Sequence, residues 1–93
     1  MKHYNVKITG NVQDVGLRAS CMRKAQELGV FGFARNELDG SVYLEVEGED
    51  VKVEEFLEAL RSGFGNIQVN FSEVIESPPK GYTVFDIKFG KTG

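Results

Sequence analysis

Hydrophobic and polar residues alternate over the first ten positions of the chain. Tyr4, Val6 and Ile8 fall on one side of an extended segment, and this period of two is typical of a half-buried strand. The same alternation, or a short apolar run, predicts further strands at residues 30–36, 41–47, 67–71 and 85–89.

Two other segments carry their hydrophobic residues at helical spacing. Leu17, Cys21, Ala25 and Leu28 are three or four residues apart, which predicts an amphipathic helix of about 12 residues. Gly29 follows directly, where a left-handed residue is expected to end the helix.

The second helical pattern lies in the middle of the chain. Val53, Phe56, Leu57 and Leu60 follow the i, i+3, i+4, i+7 rule, and Asp50 is predicted to be the N-cap.

Turn residues connect these elements into one predicted fold. The Asp39-Gly40 pair predicts a hairpin over residues 30–47, and the prolines of segment 77–81 predict a loop. The order is β-α-β-β-α-β with a short extra strand, which indicates an α+β, ferredoxin-like split βαβ sandwich. We therefore expect a single domain, residues 1–93, with two helices on one face of an antiparallel sheet and a frayed segment 91–93.

Composition narrows the possible partners and location. The net charge of −3 gives no reason to expect nucleic-acid binding, and no apolar run approaches the roughly 20 residues that span a bilayer. The first residues lack the apolar core of a signal peptide, so we expect a cytoplasmic protein. Cys21 is interpreted as a small buried hydrophobe, and with His3 as the one histidine a zinc site is not expected. Glu45, Glu47 and Glu49 are interpreted as an outward strand face and its turn.

The segment between the first strand and the first helix carries the candidate chemistry. Residues 10–18 hold two glycines and end in Arg18 at the predicted start of the helix. A helix start presents main-chain N–H groups without partners inside the helix, at the positive end of its dipole. A guanidinium adds two parallel donors for an oxyanion, so the pattern favours an anion site.

Several motifs together resemble one family, the acylphosphatases. Residues 10–18, GNVQDVGLR, are similar to the family's phosphate loop G-x-V-Q-G-V-G-F-R. Residues 28–36, LGVFGFARN, are similar to L-G-L-x-G-W-V-R-N, and residues 39–42 match D-G-S-V. Gly48 matches the glycine that closes the next strand, and the FDI of the last strand is also similar. The resemblance covers the chain in order and at the right spacing.

The resemblance implies a hydrolase that converts small acyl phosphates to a carboxylate and inorganic phosphate, without metal or cofactor. Arg18 would bind the phosphate, and Asn36 would position the attacking water. The implied phosphate-binding loop consists of Gln13, Asp14, Val15, Gly16, Leu17 and Arg18. We expect no nucleic-acid or membrane partner, and a monomer.

One departure from the family pattern leaves the function open. Asp14 stands where the family loop carries glycine, and its carboxylate can face the phosphate, face solvent or pair with Arg18. An active acylphosphatase is the first hypothesis. A weakened, acylphosphatase-like anion-binding or interaction module is the second, and a ferredoxin-like RNA-binding or regulatory module is the third.

The candidate residues also have ordinary structural interpretations. Arg18 is also compatible with an exposed arginine at a helix start, and Asn36 with a turn residue. For Gln13 a structural role is favoured over a catalytic one.

Overall fold

The computed structural model contains a five-stranded sheet and two helices. It describes residues 1–10, 12–13, 16–64 and 67–92, the last four by their backbone. The element order is βαββαββ, with bounds β1 Lys2–Thr9, α1 Leu17–Leu28, β2 Phe31–Glu37, β3 Val42–Gly48, α2 Asp50–Arg61, β4 Asn70–Ser77 and β5 Phe85–Thr92.

The sheet has the strand order β4-β1-β3-β2-β5. Both helices pack on one face, where the apolar residues of β1 and β3 join those of α1 and α2 in a single core. The ferredoxin-like prediction is confirmed, and so is the hairpin, in which β2 pairs with β3 in antiparallel register.

The edge pairing differs from the expected all-antiparallel sheet, because β5 runs parallel to β2. Segment 78–84, called the crossover here, carries the chain from β4 at one edge to β5 at the other. It crosses the sheet at the end where β2 begins, since Ser77 pairs with His3, His3 with Glu47, and Glu47 with Phe31. The chain therefore enters β5 from the same end as it enters β2, and the two strands run in the same direction.

Helix α1 has the predicted length and face. Leu17, Cys21 and Ala25 are buried. Gly29 is left-handed with φ 73°, and its N–H donates to the carbonyl of Ala25 at 2.8 Å.

Helix α2 buries the four residues that the periodicity indicates, but its predicted N-cap is wrong by one position. Glu49 is the capping residue and Asp50 is the first helical residue. The Asp50 carboxylate instead forms an ion pair with the amino group of Met1 at 3.1 Å.

The fourth strand was predicted too early in the chain. Ile67 forms only an isolated bridge with Phe64, and β4 begins at Asn70. This strand lies at an edge and is mostly exposed on both faces, so its sequence lacks the alternation that a half-buried strand shows. The predicted fraying at 91–93 is also wrong for its first two positions, because β5 extends to Thr92, while Gly93 lies outside the described residues.

Candidate functional site

Asn36 lies near the end of β2, on the side of the sheet that faces the helices. It is 5% exposed, and its neighbour Ala34 on the same face is fully buried. Among the described residues, no donor reaches the side-chain oxygen Oδ1 of Asn36. A buried amide oxygen without a donor is costly, so this atom is arranged to accept a hydrogen bond from a water molecule or a ligand.

Arg18 lies in the first turn of α1, which packs on both β2 and β5. Its Nη1 donates to the main-chain carbonyl of Lys88 at 3.0 Å. Lys88 pairs with Arg35, the residue before Asn36, in the parallel register of β5 and β2. Arg18 thus bonds a residue of β5 that is in register with the chain neighbour of Asn36 on the adjacent strand β2.

The start of α1 adds main-chain donors to this region. Gly16 is the N-cap in the left-handed conformation, with φ 81°, which glycine adopts without strain. Within the described part of the chain, no side chain caps this end and no acidic residue occupies the first turn. The N–H groups of the first turn lie at the positive end of the helix dipole, an arrangement that favours an anion.

Gln13 connects the loop to the hairpin that carries Asn36. Its Nε2 donates to the carbonyl oxygens of Glu37 at 2.7 Å and Ser41 at 2.9 Å. Ser41 is held in turn by Asp39, whose Oδ1 accepts from its main-chain N–H at 2.9 Å. This geometry supports the structural interpretation of Gln13, because both of its bonds go to main-chain atoms.

Two of the proposed loop residues cannot be placed. Asp14 and Val15 lie outside the described residues, as does Asn11. Leu17 is 1% exposed and its side chain belongs to the core.

Cys21 and His3 lie apart from this region. Burial raises the pKa of the Cys21 thiol to about 12, consistent with a small buried hydrophobe. His3 is fully buried on the other face of the sheet, between Glu45 and Glu47. Sequence reasoning placed these two glutamates on an outward face, and that prediction is wrong for both, since they are 5% and 0% exposed.

The described residues form neither a metal-binding group nor a membrane-spanning helix. No group of three or more His, Cys, Asp or Glu side chains is arranged to hold a metal ion. No helix in this part of the chain has the length and apolar character needed to cross a membrane.

One contact of a candidate residue could not be predicted from the sequence. Arg18 donates to a main-chain carbonyl of β5 that lies 70 residues away along the chain, and a main-chain atom leaves no signal in the residue types.

Comparison with known proteins identifies the family. The family model described as Acylphosphatase matches residues 4–87. This chain belongs to the acylphosphatase family of hydrolases. A curated acylphosphatase from Lactiplantibacillus plantarum is 41% identical over 90 residues, covering 94% of this chain and 98% of the relative. An acylphosphatase from Thermotoga maritima is 37% identical and covers 96% and 99%.

The acylphosphatase fold extends through the whole described sheet. The crystal structure of acylphosphatase from Bacillus subtilis superposes with a TM-score of 0.89 at 30% identity, covering 96% of this chain and all of that one. The resemblance drawn from the motifs is thus confirmed.

Proposed function

We propose that this acylphosphatase-family chain hydrolyses acyl phosphates with Arg18 as the phosphate-binding residue and Asn36 as the residue that positions water. The observation that carries the proposal is the buried Oδ1 of Asn36, which no donor among the described residues reaches. It is the acceptor that a nucleophilic water needs, and Asn36 follows Arg35, the register partner of Lys88, whose carbonyl accepts from Arg18.

Phosphate binding is supported by two kinds of hydrogen-bond donor and by the dipole of α1. The Arg18 guanidinium supplies a permanent positive charge and a planar pair of N–H groups. The uncapped first turn of α1 supplies main-chain N–H groups and the positive end of the helix dipole. These donors neutralise the phosphoryl oxygens as charge develops on them.

The chemical step follows from the leaving group. Water attacks phosphorus opposite the acyl oxygen, the bond between phosphorus and that oxygen breaks, and the carboxylate leaves with the electron pair. The water transfers its proton to a phosphoryl oxygen. A carboxylate is a good leaving group, so positioning and charge stabilisation suffice without a titrating side chain. The neutral amide of Asn36 suits this role, because it orients water without changing charge.

Hydrolysis of benzoyl phosphate, followed by its loss of ultraviolet absorbance, tests the assignment. Arg18→Ala and Asn36→Ala should each lower kcat/KM by about a hundredfold or more, the usual cost of losing one group aimed at the transition state. Arg23→Ala is the matched control, because Arg23 lies on the exposed side of the same helix and its described hydrogen bond goes to Ser20 in the same helix. A loss within about twofold in both site variants would overturn the roles given to these residues.

The same assay resolves the question raised by Asp14. Two like charges about 4 Å apart repel by about 1 kcal/mol in water and by about 4 kcal/mol at an effective dielectric of 20. If the Asp14 carboxylate faces the phosphate, Asp14→Gly should therefore raise kcat/KM several-fold. An inactive wild type beside an active Asp14→Gly variant would establish the weakened binding module instead.

A further inference from the structure

A group of charged and polar side chains joins the crossover to the face of the sheet opposite the helices. We call it the carboxylate cluster; its members are His3, Glu45, Glu47, Lys80 and Tyr82. His3 and Glu47 are fully buried and Glu45 is 5% exposed. The family resemblance assigns no role to this cluster.

Glu47 is the acceptor on which the crossover is held. Its Oε1 accepts from the main-chain N–H of Lys80 at 2.7 Å, and its Oε2 accepts from those of Gly81 and Tyr82 at 2.9 and 2.8 Å. Burial opposes its charge, but these three donors together with His3 hold the pKa of Glu47 below its usual value. Three consecutive N–H groups of the crossover thus depend on one ionised side chain.

The imidazole of His3 lies between two carboxylates. Its Nδ1 is 2.7 Å from Oε1 of Glu47, and its Nε2 is 3.0 Å from Oε1 of Glu45 and 2.9 Å from Oδ1 of Asn5. An ionised carboxylate only accepts hydrogen bonds, so each ring nitrogen must carry a hydrogen to be satisfied. The geometry therefore calls for the imidazolium form, which bridges the two glutamates.

The charges of the cluster balance only in that form. Glu45 also accepts from Lys80 Nζ at 2.9 Å, from Tyr82 Oη at 3.0 Å and from Tyr43 Oη at 2.7 Å. Two buried carboxylates are thus matched by the ammonium of Lys80 and the imidazolium of His3. Removing the proton from His3 leaves a net negative charge in a buried site, which is unfavourable.

The other described neighbours of His3 on this face are uncharged. Asn5 faces it from β1, Ser77 is its register partner on β4, and the Tyr82 ring lies 5.8 Å from its own ring. Lys2 and Tyr4, its chain neighbours, bond Glu54 on the helix side instead.

We propose that the protonated side chain of His3 holds the crossover against the sheet, and that it does so only while it carries both ring protons. With the imidazolium in place, Glu47 is fixed and residues 80–82 are held against the sheet. When the proton leaves, the Nε2 lone pair faces Glu45, the bridge between the carboxylates is lost, and the crossover loosens. This inference is independent of the proposed catalytic roles of Arg18 and Asn36.

Nuclear magnetic resonance tests the charge state directly. His3 is the single histidine of the chain, so its ring signals need no assignment. Long-range proton–nitrogen spectra at about pH 6.5 should show both ring nitrogens protonated. A neutral ring with an unprotonated Nε2 that accepts from a rotated Asn5 amide would overturn the proposal.

Amide hydrogen exchange tests the consequence for the crossover. When the pH is raised from about 6 to about 9, the amides of Lys80, Gly81 and Tyr82 should lose about tenfold more protection than a sheet amide such as that of Val46. This is the effect expected from weakening a charge-assisted hydrogen bond. Dividing the exchange protection of the crossover amides by that of Val46 gives a ratio from which the ordinary base catalysis of exchange cancels. A ratio that stays constant with pH would overturn the proposal.

Two variants distinguish this role of His3 from a general effect of substitution on the stability of the fold. In His3→Gln the ratio should be low already at about pH 6 and should not change with pH. Glu54→Gln is the control for loss of a side-chain charge elsewhere, because the described bonds of Glu54 go to Lys2 and Tyr4 on the opposite face. This control should keep the wild-type profile. If His3→Gln does not fold, the two wild-type measurements still decide the question.

Discussion

The side-chain amide of Gln13 donates to the main-chain carbonyl of Glu37 at 2.7 Å, one residue after Asn36. The second hydrogen of the same amide goes to the carbonyl of Ser41 at 2.9 Å. Gln13 thus links the candidate phosphate loop to the hairpin that carries the candidate water-positioning residue.

Gln13→Ala should therefore affect turnover more than stability. We expect the free energy of unfolding to fall by about 1–2 kcal/mol, the worth of two neutral hydrogen bonds. The kcat for benzoyl phosphate should fall about tenfold to a hundredfold, because a loop displaced by about 1 Å misaligns phosphate and water. Urea unfolding and steady-state kinetics measure the two effects, and Gln26→Ala, on the exposed side of α1, is the control. Unchanged kcat would show that the loop keeps its position without this link.

Gly32 should tolerate no larger residue. Its φ is 144°, and a Cβ at this position would collide with the carbonyl oxygen of Glu45 on β3. Gly32→Ala should therefore lower the free energy of unfolding by about 3 kcal/mol or more. Gly40→Ala is the matched control, because Gly40 also has a positive φ of 92° but open space around it. It should cost only the conformational penalty of about 1–2 kcal/mol. Equal losses in chemical denaturation would contradict the steric argument.

Acid should destabilise the fold through the carboxylate cluster. Burial opposes the charge of Glu45, but Lys80, Tyr43 and Tyr82 hold its pKa below the usual 4.5, and the pKa of Glu47 is lowered as well. A carboxyl whose pKa is lowered on folding adds stability above its unfolded value and loses it as the pH falls through its folded value.

The thermal midpoint of the wild type should accordingly decrease as the pH falls below about 4.5. Glu47→Gln should be less stable at neutral pH by about 3 kcal/mol, since it removes one partner from a buried ionic group. It should also lose less stability on acidification than the wild type. Parallel acid profiles of the two proteins, recorded by circular dichroism, would show that Glu47 is not the group responsible.

Cys21 should be chemically silent in the folded protein. The side chain is fully buried and its pKa is raised to about 12, so neither access nor thiolate is available at neutral pH. An aromatic disulfide reagent should react with no thiol in native buffer and with one per chain in denaturant. Rapid labelling of the native protein would indicate that α1 separates readily from the sheet.

The helices were predictable because their signals are local. Leu17 and Gly29 bound α1 where periodicity and turn chemistry place them. Arg18 bonds a carbonyl of β5 and Asn36 lies on the adjacent strand β2, and a shared role of the two residues in one site stays a prediction. The parallel pairing of β5 was not predictable in the same way, because it depends on which end of the sheet the crossover enters.

The error at Glu45 and Glu47 has a similar origin. Their alternation with Leu44 and Val46 correctly indicates the face away from the core, but a polar residue on that face is exposed only if nothing covers it. The crossover covers this face of β3, and no residue type in β3 indicates that cover. The alternation therefore predicted correctly which face the two glutamates occupy, but not that they are buried there.

The contact between Arg18 and the Lys88 carbonyl has a consequence for how the molecule assembles. The guanidinium acquires this partner only when β5 has paired with β2, a pairing between segments more than fifty residues apart. Contacts so distant along the chain form late and slowly, because the intervening loop must close first. On the proposed role of Arg18, the ability to bind an anion should therefore appear as one of the last events of refolding. A stopped-flow signal from phosphate binding would then report when β5 pairs with β2.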